Sequence, residues 1–144
     1  MDHMKNQFKK ADKDFDVEKF IYGGHSLGGA SVADWVHKNP EDAEAAFAWG
    51  SYVGHKIEDP AKNFGNGVPF MTVGAQYDGW MARVTRIAQS YDQMLSSSIG
   101  LEKAKYSYPV VVVPGADHAS FMAGIPPSKV QTTDLRANAP FDEI

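Results

Sequence analysis

The stretch Phe20-Ile21-Tyr22-Gly23-Gly24-His25-Ser26-Leu27-Gly28-Gly29 changes character halfway along, and its reading decides the fold. Phe20 to Gly24 is a short apolar run closed by glycines, which reads as a strand. From Leu27 the apolar residues recur at Leu27, Ala30, Ala33 and Val36, close to a helical period. Pro40 ends that pattern, because the residue before a proline avoids the helical region. A strand therefore passes straight into a helix, with Ser26 at the turn. The letters Gly24-His25-Ser26-Leu27-Gly28 match G-x-S-x-G, which in this setting lifts a serine hydroxyl above a sheet. Small residues two positions either side of the serine are expected, since side chains there would meet neighbouring backbone. Taken alone the pattern is weak, and Ser26 could equally be the N-cap of a plain helix.

Working outward, Ala45 to Gly50 is a second buried run, Pro69 to Gly74 a third, and Val110 to Val113, β-branched and bounded by prolines, a fourth. Between the third and fourth, Met81, Val84, Ile87, Ala88, Tyr91 and Leu95 fall at helical spacings until Ser96 to Gly100 end them. Residues 54–67, with Gly54, Pro60, Gly65 and Gly67, read as a loop. The runs are continuously apolar and separated by helices or long connections. That predicts an α/β fold of about four parallel strands with flanking helices, the sheet covered on two faces. Residues 1–17 are a polar N-terminal segment, and residues 18–144 form the domain.

The 144 residues carry 14 Lys plus Arg against 18 Asp plus Glu, and a formal charge of −4 disfavours a general nucleic-acid binder or a polybasic membrane anchor. With no cysteine, disulfides, thiolate metal sites and a cysteine nucleophile are excluded. No apolar run approaches the ~18 residues a membrane helix needs.

A serine needs a base to become a nucleophile. His118, in Gly115-Ala116-Asp117-His118, lies just past the last strand. Asp78, in Gly74-Ala75-Gln76-Tyr77-Asp78-Gly79, follows the third. In an open parallel sheet, ligands bind beyond the carboxyl ends of the strands, so Ser26, Asp78 and His118 are expected on one edge. Asp117 is the alternative acid, disfavoured because adjacent loop residues seldom face each other. The order serine, aspartate, histidine is that of one hydrolase class.

On these residues the chain resembles the α/β-hydrolase family over roughly residues 18–136. Gly24 to Gly29 looks like its nucleophile elbow, Pro69 to Asp78 like the strand carrying the acid, and Val110 to Phe121 like the strand and loop carrying the histidine. Asp117-His118-Ala119-Ser120-Phe121 with Pro126-Pro127 is loosely similar to members related to chlorophyllase and dienelactone hydrolase. Family members carry about eight strands, whereas the elbow strand and three after it are visible here. The chain is accordingly read as the C-terminal half of such a domain, without the loop that donates the second oxyanion N–H.

The resemblance implies a serine hydrolase acting on carboxylic esters through Ser26, His118 and Asp78, with the Leu27 N–H as one oxyanion donor and no cofactor. Tyr77, Trp80 and Phe121 are candidate substrate-binding residues, although a core role fits them and Met81 and Met122 equally. The rival reading is a catalytically inactive α/β-hydrolase-like domain serving as a binding module or remnant. A haloalkane-type member would carry aspartate where this chain has Ser26. His25 is expected to point away from Ser26, and His37 to cap helix carbonyls. A metal at His55, Glu58 and Asp59 is disfavoured, and Gly23-Gly24 to Gly28 lacks the ending of a phosphate loop. The expected partner is a small-molecule ester, with no nucleic acid and no membrane span. Self-association is expected along the elbow strand, which would be an exposed edge.

Overall fold

The computed structural model describes residues 6–7, 18–52, 68–79, 82–95, 107–125 and 128–129. Four strands, β1 (Phe20–His25), β2 (Ala43–Trp49), β3 (Phe70–Ala75) and β4 (Val110–Val113), pair in parallel in chain order. Helix α1 (Leu27–Lys38) follows β1 and helix α2 (Val84–Leu95) follows β3. Short 3₁₀ turns lie at Pro40–Asp42 and His118–Phe121. This is the predicted α/β class, with four parallel strands and flanking helices. The predicted loop at 54–67, the N-terminal segment other than residues 6–7, Pro126-Pro127 and the His55, Glu58, Asp59 group all lie outside the described residues.

Boundaries move for identifiable reasons. Strand β2 starts at Ala43, paired with Phe20, and ends at Trp49 because Gly50 turns to φ +53. Helix α2 starts at Val84 rather than Met81. Before it, Arg83 Nε–H donates to the Gly79 carbonyl at 2.7 Å, and Met81 lies outside the described residues. The helical register of α1 is as predicted, and Asn39 stops it, its backbone N–H and its side-chain amide both donating to the Trp35 carbonyl at 2.9 Å. His37 was expected to cap the helix carbonyls, and its buried Nδ1 has no hydrogen-bond partner among the described residues.

Small residues set how closely α1 approaches the sheet. Ala33 and Val36 share one buried cluster with Ala46, Ala48 and Phe70, and Ala30 is buried too. A Cβ added at Gly29 would lie 2.9 Å from the Cβ atoms of Ala48 and Ser51, so the helix's first turn sits directly on β2. Full burial of a Val36 or Phe70 side chain is worth about 1.5–3 kcal/mol. The alanines contribute less burial each but let backbones pack close.

Both helices lie on one face. Ala48 pairs with Thr72, which shares a face with Gly74, and Ile87 of α2 fills the space a Cβ on Gly74 would take. The opposite face carries Ile21, Phe47, Trp49, Met71, Val73 and Val111 in register. Phe47 folds over Gly23 and packs on Trp49 at 4.8 Å between ring centroids. Ile21 remains 67% and Val111 46% exposed. Continuous apolar strands predicted cover on both faces; among the described residues the helical cover is one-sided. Among the described residues strand β1 is the edge of the four-stranded sheet, where the elbow is shaped by α1 and β2.

Candidate active site

Ser26 follows the last residue of β1 and adopts φ 55, ψ −123, the only positive φ of a non-glycine residue described. A residue with a Cβ in such a region stores about 1–3 kcal/mol, which the surroundings must offset. The Ser26 N–H donates to the Trp49 carbonyl at 2.8 Å, and the Ala30 N–H to the Ser26 carbonyl at 3.1 Å. The turn is closed by contact between glycines: a Cβ on Gly24 would come within 2.5 Å of the Gly28 carbonyl carbon and oxygen. The predicted need for a small residue at Gly28 itself is not met, because a Cβ there has nothing within 4 Å. The crowded partner is Gly29, whose added Cβ would be 2.8 Å from the Gly24 oxygen.

The Ser26 side chain makes no helix-capping hydrogen bond. Its Oγ lies 2.9 Å from His118 Nε2, and His118 Nδ1 lies 2.7 Å from Asp78 Oδ2. An ionised carboxylate only accepts, so the proton of a neutral His118 sits on Nδ1 and Nε2 presents its lone pair to the serine hydroxyl. Asp78 and His118 are buried, at 1% and 2% exposure, where such bonds are less screened than in water. The Ala82 N–H points at the other Asp78 oxygen at 3.4 Å.

Loops hold the acid and the histidine together. The Gln76 N–H donates to the Val113 carbonyl at 3.1 Å, the Tyr77 N–H to Ala116 at 2.8 Å, and the Gly115 N–H to Gln76 Oε1 at 2.9 Å. Asp117, the alternative acid, is engaged elsewhere. Its Oδ1 accepts from the backbone of Ala119 (3.0 Å) and Ser120 (2.9 Å) and from the Ser120 hydroxyl (2.9 Å). The Ser120 oxygen in turn accepts the Asp117 N–H at 3.0 Å. This capping box fixes the 3₁₀ turn that begins with His118.

Ser26, His118 and Asp78 thus lie in one line of contacts. Leu27 is the first residue of α1, so its N–H is one of those that no helical carbonyl can accept, and it opens on the same turn. Tyr77 is half-buried beside Asp78, Phe121 half-buried beside His25, and Trp80 lies outside the described residues. Two neighbours of the site were missed. His25 places Nε2 3.1 Å from the His118 carbonyl oxygen, its ring 4.9 Å from the His118 ring. Burial holds its imidazole below the ordinary 6.5, against the opposing pull of that carbonyl and of Asp78. Gly50, at φ +53, passes so close that a Cβ would meet both rings at 3.1–3.2 Å. Its place at the end of a predicted strand, level with the serine, was the available signal.

The strain at Ser26 gives a prediction. Ser26→Gly is expected to be more stable than Ser26→Ala by about 1 kcal/mol or more, because glycine alone enters that backbone region without a Cβ penalty. Paired urea melts check it; equal midpoints would show that the turn is unstrained.

Comparison finds no significant match among family models or among curated proteins. Two of the solved structures that resemble the chain are the following. One is an alpha/beta hydrolase enzyme from the metagenome of sediments of the Mar Chica lagoon, Morocco, at 17% identity and TM-score 0.49, with 83% of this chain and 60% of that one covered. The other is a chain assigned provisionally as a dipeptidyl aminopeptidase IV from Bacteroides ovatus, at 15% identity and TM-score 0.52, with 81% of this chain and 19% of that one covered. The chain therefore spans less than two thirds of either neighbour, and at these identities the likeness is one of fold. What the chain shares with the second neighbour is a fold, here four parallel strands with flanking helices.

Proposed function

We propose that this chain is a serine hydrolase acting on carboxylic esters. The observation that carries the proposal is the continuous line of contacts from Ser26 Oγ through His118 to Asp78, at 2.9 and 2.7 Å. Ser26 Oγ attacks the ester carbonyl carbon while its proton passes to His118 Nε2. The carbonyl π electrons move onto oxygen, and the Leu27 N–H faces the oxyanion at the start of α1. Collapse breaks the bond to the alkoxy oxygen, which takes the proton from His118 and leaves as the alcohol. Water then attacks the acyl-serine by the same proton path, releasing the acid and restoring Ser26. Asp78 accepts from the proton that stays on His118 Nδ1 and stabilises the imidazolium.

Esters are preferred over amides as the first substrates because an alkoxide leaves more readily. The half-buried Tyr77 and Phe121 are proposed to contact the acyl or alcohol group. Initial rates on short-chain p-nitrophenyl esters test the proposal. Wild-type chain should turn over, and Ser26→Ala should fall to the buffer rate. A wild-type rate equal to Ser26→Ala would support the inactive-domain reading instead.

Pairing between copies along β1 is part of the same proposal. It is supported by the edge position of that strand and the 67% exposure of Ile21. Size-exclusion chromatography with light scattering should give a mass above the monomer's, and Ile21→Lys should lower it. A concentration-independent monomer would overturn it.

A further inference from the structure

We propose that His25 is a positioning residue for His118: its Nε2–H holds the His118 carbonyl and its ring forms the wall against which the His118 imidazole is set. The inference rests on the hydrolase reading for its kinetic consequence, but its geometry stands apart from it. A carbonyl oxygen only accepts, so the 3.1 Å contact puts the proton of a neutral His25 on Nε2. That tautomer has no lone pair on Nε2, so the nitrogen turned toward the His118 loop is not a second base.

The need for such a wall follows from what Asp78 does not fix. Its 2.7 Å contact pins Nδ1, and with the ring's bond to Cβ it leaves one motion open, a swing about the line from Cβ to Nδ1 that moves Nε2. The His25 ring lies at 4.9 Å between centroids and 43° to the His118 ring, and closes one side. Gly50 closes another: at φ +53, a Cβ there would be 3.1 Å from His25 Nε2 and 3.2 Å from His118 Nδ1 and Cε1. Phe121, from the same 3₁₀ turn as His118, backs the His25 ring at 6.0 Å. The His118 ring is held at one nitrogen, one face and one edge, with Nε2 left to Ser26. His25 also directly precedes Ser26 in the chain, so one peptide unit links the nucleophile to the loop of its base, 92 residues away. Active groups need to stay within about 0.5 Å and 10–20° of productive geometry, and misplacement by about 1 Å can cost 10²-fold in rate.

Three variants separate donor, ring and slot. His25→Phe keeps a ring but loses the donor, His25→Gln keeps an N–H of similar reach, and Gly50→Ala pushes a methyl into the slot. Expected on a p-nitrophenyl ester is a kcat loss of about 10- to 100-fold in His25→Phe with KM unchanged, and recovery of most of that loss in His25→Gln. Wild-type kcat in a folded His25→Phe chain would overturn the proposal. Should His25→Phe not fold, Gly50→Ala decides, a comparable kcat loss supporting the slot and wild-type kcat overturning it. Should the wild-type chain hydrolyse no ester, the hydrolase reading fails and the positioning claim is read by proton NMR. The low-field Nδ1 proton shared by His118 and Asp78 should then be sharp in wild type and in His25→Gln, and broadened in His25→Phe or Gly50→Ala. An unchanged resonance in those last two variants would overturn it.

Discussion

Replacing His118 by alanine is expected to slow ester hydrolysis by about 10⁴–10⁶-fold in kcat, the range by which dismantling a serine hydrolase triad slows such enzymes. The size follows from the geometry. Without an imidazole 2.9 Å from Ser26 Oγ, the hydroxyl has no acceptor for its proton, and the leaving alcohol has no donor. Asp78→Asn is the subtler companion. The amide preserves shape but its N–H would face the Nδ1 proton of His118, driving that proton to Nε2, where it faces the serine. A loss of about 10⁴-fold is expected with little change in KM. Steady-state kinetics on one activated ester measure both. His118→Ala should also lower stability, because it leaves the buried Asp78 short of a partner, at a cost of about 1–3 kcal/mol; His118→Gln controls for that. Rates within tenfold of wild type in the His118 variants would show that the three groups lie together without acting together.

The second large effect concerns folding. Gly24→Ala is expected to destabilise the chain by about 3 kcal/mol, and Gly28→Ala to stabilise it by up to about 1 kcal/mol. The new methyl at position 24 meets backbone atoms of Gly28 at 2.5 Å and the Gly29 nitrogen at 2.7 Å, which no side-chain rotation relieves. Relief means lifting the first turn of α1 off Ala48 and Ser51 and drawing Ser26 from the Trp49 carbonyl. At position 28 a methyl enters open space inside a helix, where alanine outranks glycine. Urea melts of the two variants should therefore move in opposite directions. A destabilised Gly28→Ala would mean that the helix turn is packed differently.

That contrast shows what could be read in the letters. The strands were legible because each is a continuous apolar run, and the placement of Asp78 and His118 because each follows the carboxyl end of such a run. The motif rule located Gly24 correctly but named Gly28 where Gly29 carries the contact. The sheet-facing stripe of α1 is Gly29, Ala30, Ala33 and Val36, and Gly28 lies off it. Helical phase, set by packing, decided the matter. His25 was expected only to avoid Ser26. Its partner is a backbone carbonyl, which every residue possesses, so no residue type announces the pairing. The positive φ of Gly50 was hidden for a similar reason, since glycine permits that conformation without requiring it. The one-sided helical cover was not legible either, because strands with two apolar faces read as buried whether or not a helix lies on both.

The proposed nucleophile is tested most directly by a fluorophosphonate probe, followed by proteolysis and mass mapping of the adduct. Trypsin should release Phe20 to Lys38 as one peptide, in which fragmentation separates Ser26 from Ser31. A single adduct on Ser26, abolished by His118→Ala in a chain that still melts cooperatively, is the predicted result. No adduct on a cooperatively melting wild-type chain, or an adduct on Ser31 or any other residue in place of Ser26, would contradict it.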